Sequence, residues 1–149
     1  MRILIDGDGC PVVDIAVNTA RKYGIEAVIL CDTSHEIRRE GAVTTVVSKG
    51  ADSVDFRLVN LLLRGDIAVT QDYGLAAMCL SRGARVLNQD GMEYTADNID
   101  ALLLARHTAR KIRASGGRLK GSAKRRPDQD ESFRRELEAL IMRGRPEEK

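Results

Sequence analysis

Short apolar runs alternate with segments of helical periodicity along the first ninety residues. Ile3-Leu4-Ile5 is a short strand by pattern. Pro11 fits the first turn of a helix running to about Tyr23, with Val12, Ile15, Ala16 and Thr19 on one face and Gly24 at its end. Ala27-Val28-Ile29-Leu30-Cys31 is continuously apolar, as a strand covered on both faces is. Val43 to Val47 is a β-branched third strand. A helix is predicted from Asp52 to Arg64, with Phe56, Val59, Leu62 and Leu63 toward the core, stopped by Gly65. Ile67 to Thr70 is a fourth strand, Tyr73 to Ser81 a helix closed by Gly83, and Arg85-Val86-Leu87 a fifth strand.

Strands that alternate with helices call for parallel pairing. The pattern predicts an α/β fold: a three-layer α/β/α sandwich over about residues 1–90, with a mostly parallel five-stranded sheet of order 3-2-1-4-5. Thr95 or Asn98 can cap a further helix through about Arg113, with Ile99, Leu102, Leu103 and Ile112 inward. The domain is therefore drawn over residues 1–113. Residues 114–127 read as a basic, flexible loop rich in Gly, Lys and Arg. Residues 128–143 read as a C-terminal amphipathic helix capped by Asp128. Its Phe133, Leu137, Leu140 and Ile141 dock on the same domain.

The 149 residues are the length of one domain, and a 43% hydrophobic content suffices for a core. No apolar run approaches the roughly 18 residues of a membrane span, and Asp6 interrupts the N-terminal apolar run before a secretory segment can form. Cys10, Cys31 and Cys79 form no paired spacing, so neither a zinc knuckle nor a disulfide framework is expected, and a reducing cytoplasm fits best.

The net charge of +2 hides an asymmetry. Ala101 to Pro127 contains no acid and nine bases: Arg106, Arg110, Lys111, Arg113, Arg118, Lys120, Lys124, Arg125 and Arg126. Setting these aside leaves 15 bases against 22 acids. An acidic body with a basic segment suits a polyanion held beside a metal. Arg106, Arg110 and Arg113 form a helical stripe that, with Arg118, Lys120, Lys124, Arg125 and Arg126, would follow a phosphodiester backbone. His107 and Lys49 are further phosphate contacts. Aromatics are only 3%, so backbone contact should dominate over base stacking.

The acids carry the chemistry. Asp6-Gly7-Asp8-Gly9-Cys10-Pro11 follows the first strand, and Gln71-Asp72-Tyr73-Gly74 follows the fourth. In the predicted order these strands are neighbours where the order reverses, the place where open α/β sheets bind ligands. Carboxylates clustered there suit Mg²⁺ or Mn²⁺, which prefer oxygen ligands. Asp6, Asp8 and Asp72 are expected to hold the ion, while Asp52 would help hold a second ion or orient water and Asp55, at i+3 from it, is a further candidate ligand. Asp8 and Asp72 also suit helix caps, and Asp66 reads as structural. Cys10, near a helix start, lacks the downstream Arg of a cysteine phosphatase and reads as a small buried residue.

Ile5 to Pro11, Gly50-Ala51-Asp52, Asp66 to Ala76, Tyr94-Thr95 with Asn98-Ile99-Asp100, and Arg106-His107 with Gly116-Gly117-Arg118 together resemble the bacterial YaiI/YqxD family, which is functionally uncharacterised. That family resembles the PIN-like superfamily, which includes NYN domains and flap-type nucleases. The resemblance implies divalent ions held by acids after the first and fourth strands, matching Asp6, Asp8 and Asp72, with Asp52 as the acid on the central helix. It implies cleavage of RNA or DNA. Unlike the well-armed nucleases, this chain has no further acid in Tyr73-Gly74-Leu75-Ala76. Two other functions stay open. Asp6-Gly7-Asp8-Gly9 also resembles the nucleophile loop of haloacid-dehalogenase phosphatases, although Cys10 stands where a hydroxyl residue is usual. A non-catalytic nucleic-acid-binding module is the third.

Overall fold

The computed structural model describes residues 1–50, 53–116 and 124–144. In chain order the elements are β1 (Arg2–Asp6), α1 (Val13–Lys22), β2 (Glu26–Asp32), β3 (Val43–Val47), α2 (Ser53–Leu61), β4 (Ile67–Val69), α3 (Tyr73–Ser81), β5 (Arg85–Leu87), β6 (Glu93–Tyr94), α4 (Ile99–Ala114) and α5 (Pro127–Gly144). The sheet order is β3-β2-β1-β4-β5-β6, parallel except for β5 with β6. The expected order is thus observed, with a sixth strand added by a hairpin at the β5 edge.

The pleat sorts the core into two halves. Ile3, Ile5, Ala27, Ile29, Ile67 and Val69 point to one face, where α1 supplies Val13, Ala16, Val17 and Ala20 and α5 supplies Phe133, Leu137, Leu140 and Ile141. Leu4, Val28, Leu30, Ala68 and Val86 point to the other, under Leu58 of α2, Leu75, Ala76 and Cys79 of α3, and Ile99 of α4. Three layers result, and the C-terminal helix completes one of them. Its docking follows from burying four large apolar side chains on one stripe.

Several local expectations are corrected. Helix α1 begins at Val13, after Pro11 and Val12 have formed a turn. On α2, Phe56 and Leu63 are each 63% exposed, and Leu58 and Leu62 are the buried residues. Val59 of the predicted face does pack on the core, beside Val54 and Leu61. Ile112 is exposed because α4 is packed mainly through its first turns, at Ile99, Leu102 and Leu103. Asp128 lies inside the first turn of α5 and pairs with Arg126, while Gln129 accepts the Arg126 amide. Of the two proposed caps for α4, Asn98 accepts the Thr95 amide and donates to the Glu93 carbonyl.

Asp66 is structural, as expected. It sits at the start of β4, 3% exposed, and accepts hydrogen bonds from the Arg2 amide (3.0 Å), the Arg2 guanidinium (3.0 Å) and the Leu63 amide (2.9 Å). Arg125 is also employed structurally: it donates to Asp90 (2.8 Å), Asp130 (2.7 Å) and the Gln89 carbonyl (2.6 Å). That clasp joins the β5–β6 turn to the start of α5.

Among the described residues no helix is long and apolar enough to cross a membrane. All three cysteines are free thiols.

Candidate functional site

The carboxyl ends of β1, β2 and β4 open onto a cleft of about 660 Å³. Five carboxylates line it, from Asp6, Asp8, Asp32, Asp55 and Asp72, together with Gln71, Tyr73 and Arg106. Register explains the grouping: Asp6 pairs with Leu30 and Asp32 with Val47, so the acids end adjacent strands.

The loop after β1 is held to the sheet. The Gly7 amide donates to the Leu30 carbonyl at 2.8 Å, continuing the ladder one residue past the strand. A Cβ at Gly7 would stand 2.9 Å from that carbonyl, so the sheet excludes any side chain there. Gly9 adopts φ +64, and Gln71 donates to its carbonyl at 2.9 Å, tying the β1 loop to the β4 loop. Gly9→Ala meets nothing within 4 Å, so its cost is backbone strain alone. We expect a loss of about 1 kcal/mol, read as a melting temperature lower by roughly 2–4 °C.

Thr70, the residue after β4, organises two of the acids. It is almost fully buried. Its Oγ1 donates to Asp6 Oδ2 at 2.8 Å and accepts the Asp72 amide at 3.0 Å. Its amide and carbonyl are also held, by the Leu87 carbonyl (3.1 Å) and the Tyr94 hydroxyl (3.2 Å). Tyr94 packs edge-to-face on Tyr73. Asp72 caps α3 through Oδ1, which accepts the Gly74 amide at 2.8 Å and the Leu75 amide at 3.1 Å. The expected cap is observed, and Asp72 also lines the cleft.

Asp6 is the strained acid. Burial pushes its pKa above the ordinary carboxylate value, and the charges of Asp8 and Asp72 push it further, against the lowering effect of the Thr70 hydroxyl and the Asp8 amide. Asp32 behaves oppositely. The Ser34 hydroxyl and amide bond to its Oδ1 and hold its pKa below the usual value. The Cys10 thiol, half-buried beside the cleft, is pushed up to about 11, chiefly by burial. It is no thiolate nucleophile at neutral pH.

Sequence comparison assigns the family. A model described as "Uncharacterized BCR, YaiI/YqxD family" matches residues 4–143. The chain belongs to the YaiI/YqxD family. It is 49% identical over 147 residues to a UPF0178 protein of Ruminiclostridium cellulolyticum, across 99% of this chain and 94% of that one. It is 47% identical over 141 residues to a UPF0178 protein of Exiguobacterium sibiricum, across 95% and 96% of the two chains. A UPF0178 protein of Clostridium acetobutylicum is 45% identical over 147 residues, across 97% of this chain and 99% of that one. No solved structure matches the chain.

In this YaiI/YqxD member the structure gathers Asp6, Asp8, Asp55 and Asp72 of the expected acids, and adds Asp32, which pattern reading missed. Its signal was present: an acid ending a long apolar strand. Asp52, Arg118 and Lys120 lie outside the described residues, as does the side chain of Arg113. Among the described residues no three of His, Cys, Asp and Glu form a ready-made metal cage. Lys49 is exposed near Asp32, whose pKa its charge helps to lower. Arg106 reaches the cleft, where its Nη1 donates to Asp72 Oδ1 at 3.2 Å. His107, Arg110 and Lys124 are exposed. Arg125 pairs with Asp90 and Asp130, and the exposed Arg126 with Asp128.

Proposed function

We propose that the protein is a divalent-metal-dependent nuclease, hydrolysing phosphodiester bonds of RNA or DNA at this cleft. The observation that carries the reading is the convergence of Asp6, Asp8, Asp32, Asp55 and Asp72 at the point where strand order reverses. The donor set is all oxygen, which suits Mg²⁺ or Mn²⁺ and suits neither a softer thiolate site nor a zinc finger. Asp6 is held above its ordinary pKa chiefly by burial and further by the charges of Asp8 and Asp72, and a cation in the cleft would relieve that cost.

Asp6, Asp8 and Asp72 would hold the ion, with Asp55 and Asp32 at the rim. A divalent ion there would make bound water more acidic and offset charge on the phosphate. Hydrolysis adds one water across a P–O bond, leaving a phosphate monoester and a hydroxyl. Arg106, His107 and Arg110 on α4 lead away from the cleft and supply a path for the strand. The resemblance to PIN-like nucleases, with acids after the first and fourth strands, supports the same assignment.

A haloacid-dehalogenase phosphatase fits less well. Asp66 is at the far end of β4 and is consumed by Arg2 and Leu63, so it cannot serve as that fold's second acidic motif.

The test is incubation of the pure protein with end-labelled single-stranded RNA and DNA in Mg²⁺, Mn²⁺ or chelator. Cleavage is expected with metal and none with chelator. Salt-sensitive binding without turnover in any metal would replace the reading with a binding module, and phosphate trapped on Asp6 would replace it with the phosphatase.

A further inference from the structure

Arg106 does more than mark the start of a basic stripe. Helix α4 is seated by Ile99, Leu102 and Leu103, which pack into the core beneath α3. Leu102 and Leu103 stand four and three residues before Arg106, so Arg106 shares their face and is brought over the cleft. There it is the one cationic side chain lining the cleft among the described residues, beside five carboxylates. Its Nη1 bonds to Asp72 Oδ1 at 3.2 Å, an oxygen that already accepts two α3 amides. The two side chains are 38% and 36% exposed. An ion pair that exposed, on an oxygen that well supplied, is weak and easily exchanged. The helix does not need it, because three apolar residues already hold α4.

We infer that Arg106 is a displaceable internal counter-ion, which occupies the cation position beside Asp72 when the cleft is empty and turns to the substrate phosphodiester when a divalent ion enters. The inference rests on the metal-dependent reading above and adds a regulation to it. Two cations compete for Asp72, so the arginine weakens metal binding to the free protein. Once the ion has neutralised the acids, a phosphodiester beside it offers Arg106 a new anion and a bidentate geometry that Asp72 does not give it. Metal and arginine thus antagonise each other without substrate and cooperate with it.

The test is Mn²⁺ binding to the full chain, by the electron paramagnetic resonance of free Mn²⁺, without nucleic acid. Removing a positive charge from this half-exposed cleft should tighten Mn²⁺ in Arg106→Gln by roughly three- to tenfold. Arg106→Lys keeps the charge and should stay within about twofold of wild type. In the presence of Mn²⁺, a phosphorothioate single-stranded oligonucleotide that resists cleavage should bind Arg106→Gln at least about fivefold more weakly. Unchanged or weaker Mn²⁺ binding in Arg106→Gln overturns the inference and leaves the metal reading intact, as does unchanged oligonucleotide affinity. No Mn²⁺ bound by any of the three proteins overturns the metal reading and the inference with it. A folding defect in Arg106→Gln would show in its melting curve. The lysine variant then decides: Mn²⁺ binding tightened by more than about threefold despite the retained charge would overturn the inference.

Discussion

Asp6→Asn is expected to raise the melting temperature in chelator at neutral pH and, on the nuclease reading proposed above, to abolish metal-stimulated cleavage. The two effects have one origin. Asp6 is pressed into the end of the sheet, where burial and the charges of Asp8 and Asp72 disfavour its ionised form. Asparagine keeps the oxygen that accepts the Thr70 hydroxyl bond and removes the charge. The sign can be checked by pH. The folded-state pKa is raised, so the carboxyl favours the fold while protonated and disfavours it once pH rises through that value. The advantage of the variant should therefore be largest at neutral pH and fade as acid protonates Asp6 in the wild-type protein. Chelator matters because a bound ion would stabilise the wild type by mass action. A melting temperature at or below wild type in chelator would show that this carboxylate is not held at a cost.

Asp66→Ala should act through the fold alone, costing about 3 kcal/mol of stability, read as a lower urea midpoint at unchanged slope. One carboxylate satisfies the Arg2 amide, the Arg2 guanidinium and the Leu63 amide, at the end of β4 opposite the cleft. Alanine leaves those donors unmatched. The loss stays near the lower end for a buried pair because Arg2 is 23% exposed and its guanidinium keeps its bond to the Leu61 carbonyl. Since Asp66 and Asp6 lie at opposite ends of adjacent strands, Asp66→Ala should leave Mn²⁺ binding unchanged at temperatures where the protein is folded. Weakened Mn²⁺ binding by folded protein would place Asp66 in the functional site after all.

Periodicity carried the strand order because the apolar runs are buried on both faces and the connecting helices are short and separately punctuated. It failed where two solutions compete. Over α2 and the residues after it, Val54, Leu58, Val59, Leu61 and Leu62 pack toward the core while Phe56 and Leu63 face outward, a choice that only contact with the sheet makes. Strand β6 was missed because two residues carry no alternation, although Asp90-Gly91 between Leu87 and Glu93 is a hairpin signal, and Gly91 adopts φ 88. In the site, Asp6, Asp8 and Asp72 were legible from their position after strands. Asp32 was not weighed because no glycine-rich loop drew attention to it. The bond from Thr70 to Asp6 links residues 64 apart, and no local pattern announces such a pairing.

The two rims of the sheet differ in a way that bears on handling the protein. One rim ends in β6, two residues long, where little backbone is left to recruit another chain. The other is Val43-Thr44-Thr45-Val46-Val47, five uncharged residues, four of them only partly covered and Val43 more than half exposed. Such an edge is a template for intermolecular strand pairing. Heat or destabilising substitutions should therefore drive the chain toward aggregates seeded at β3, and a lysine at Val43, on the open edge, is the change best suited to keeping concentrated samples monodisperse.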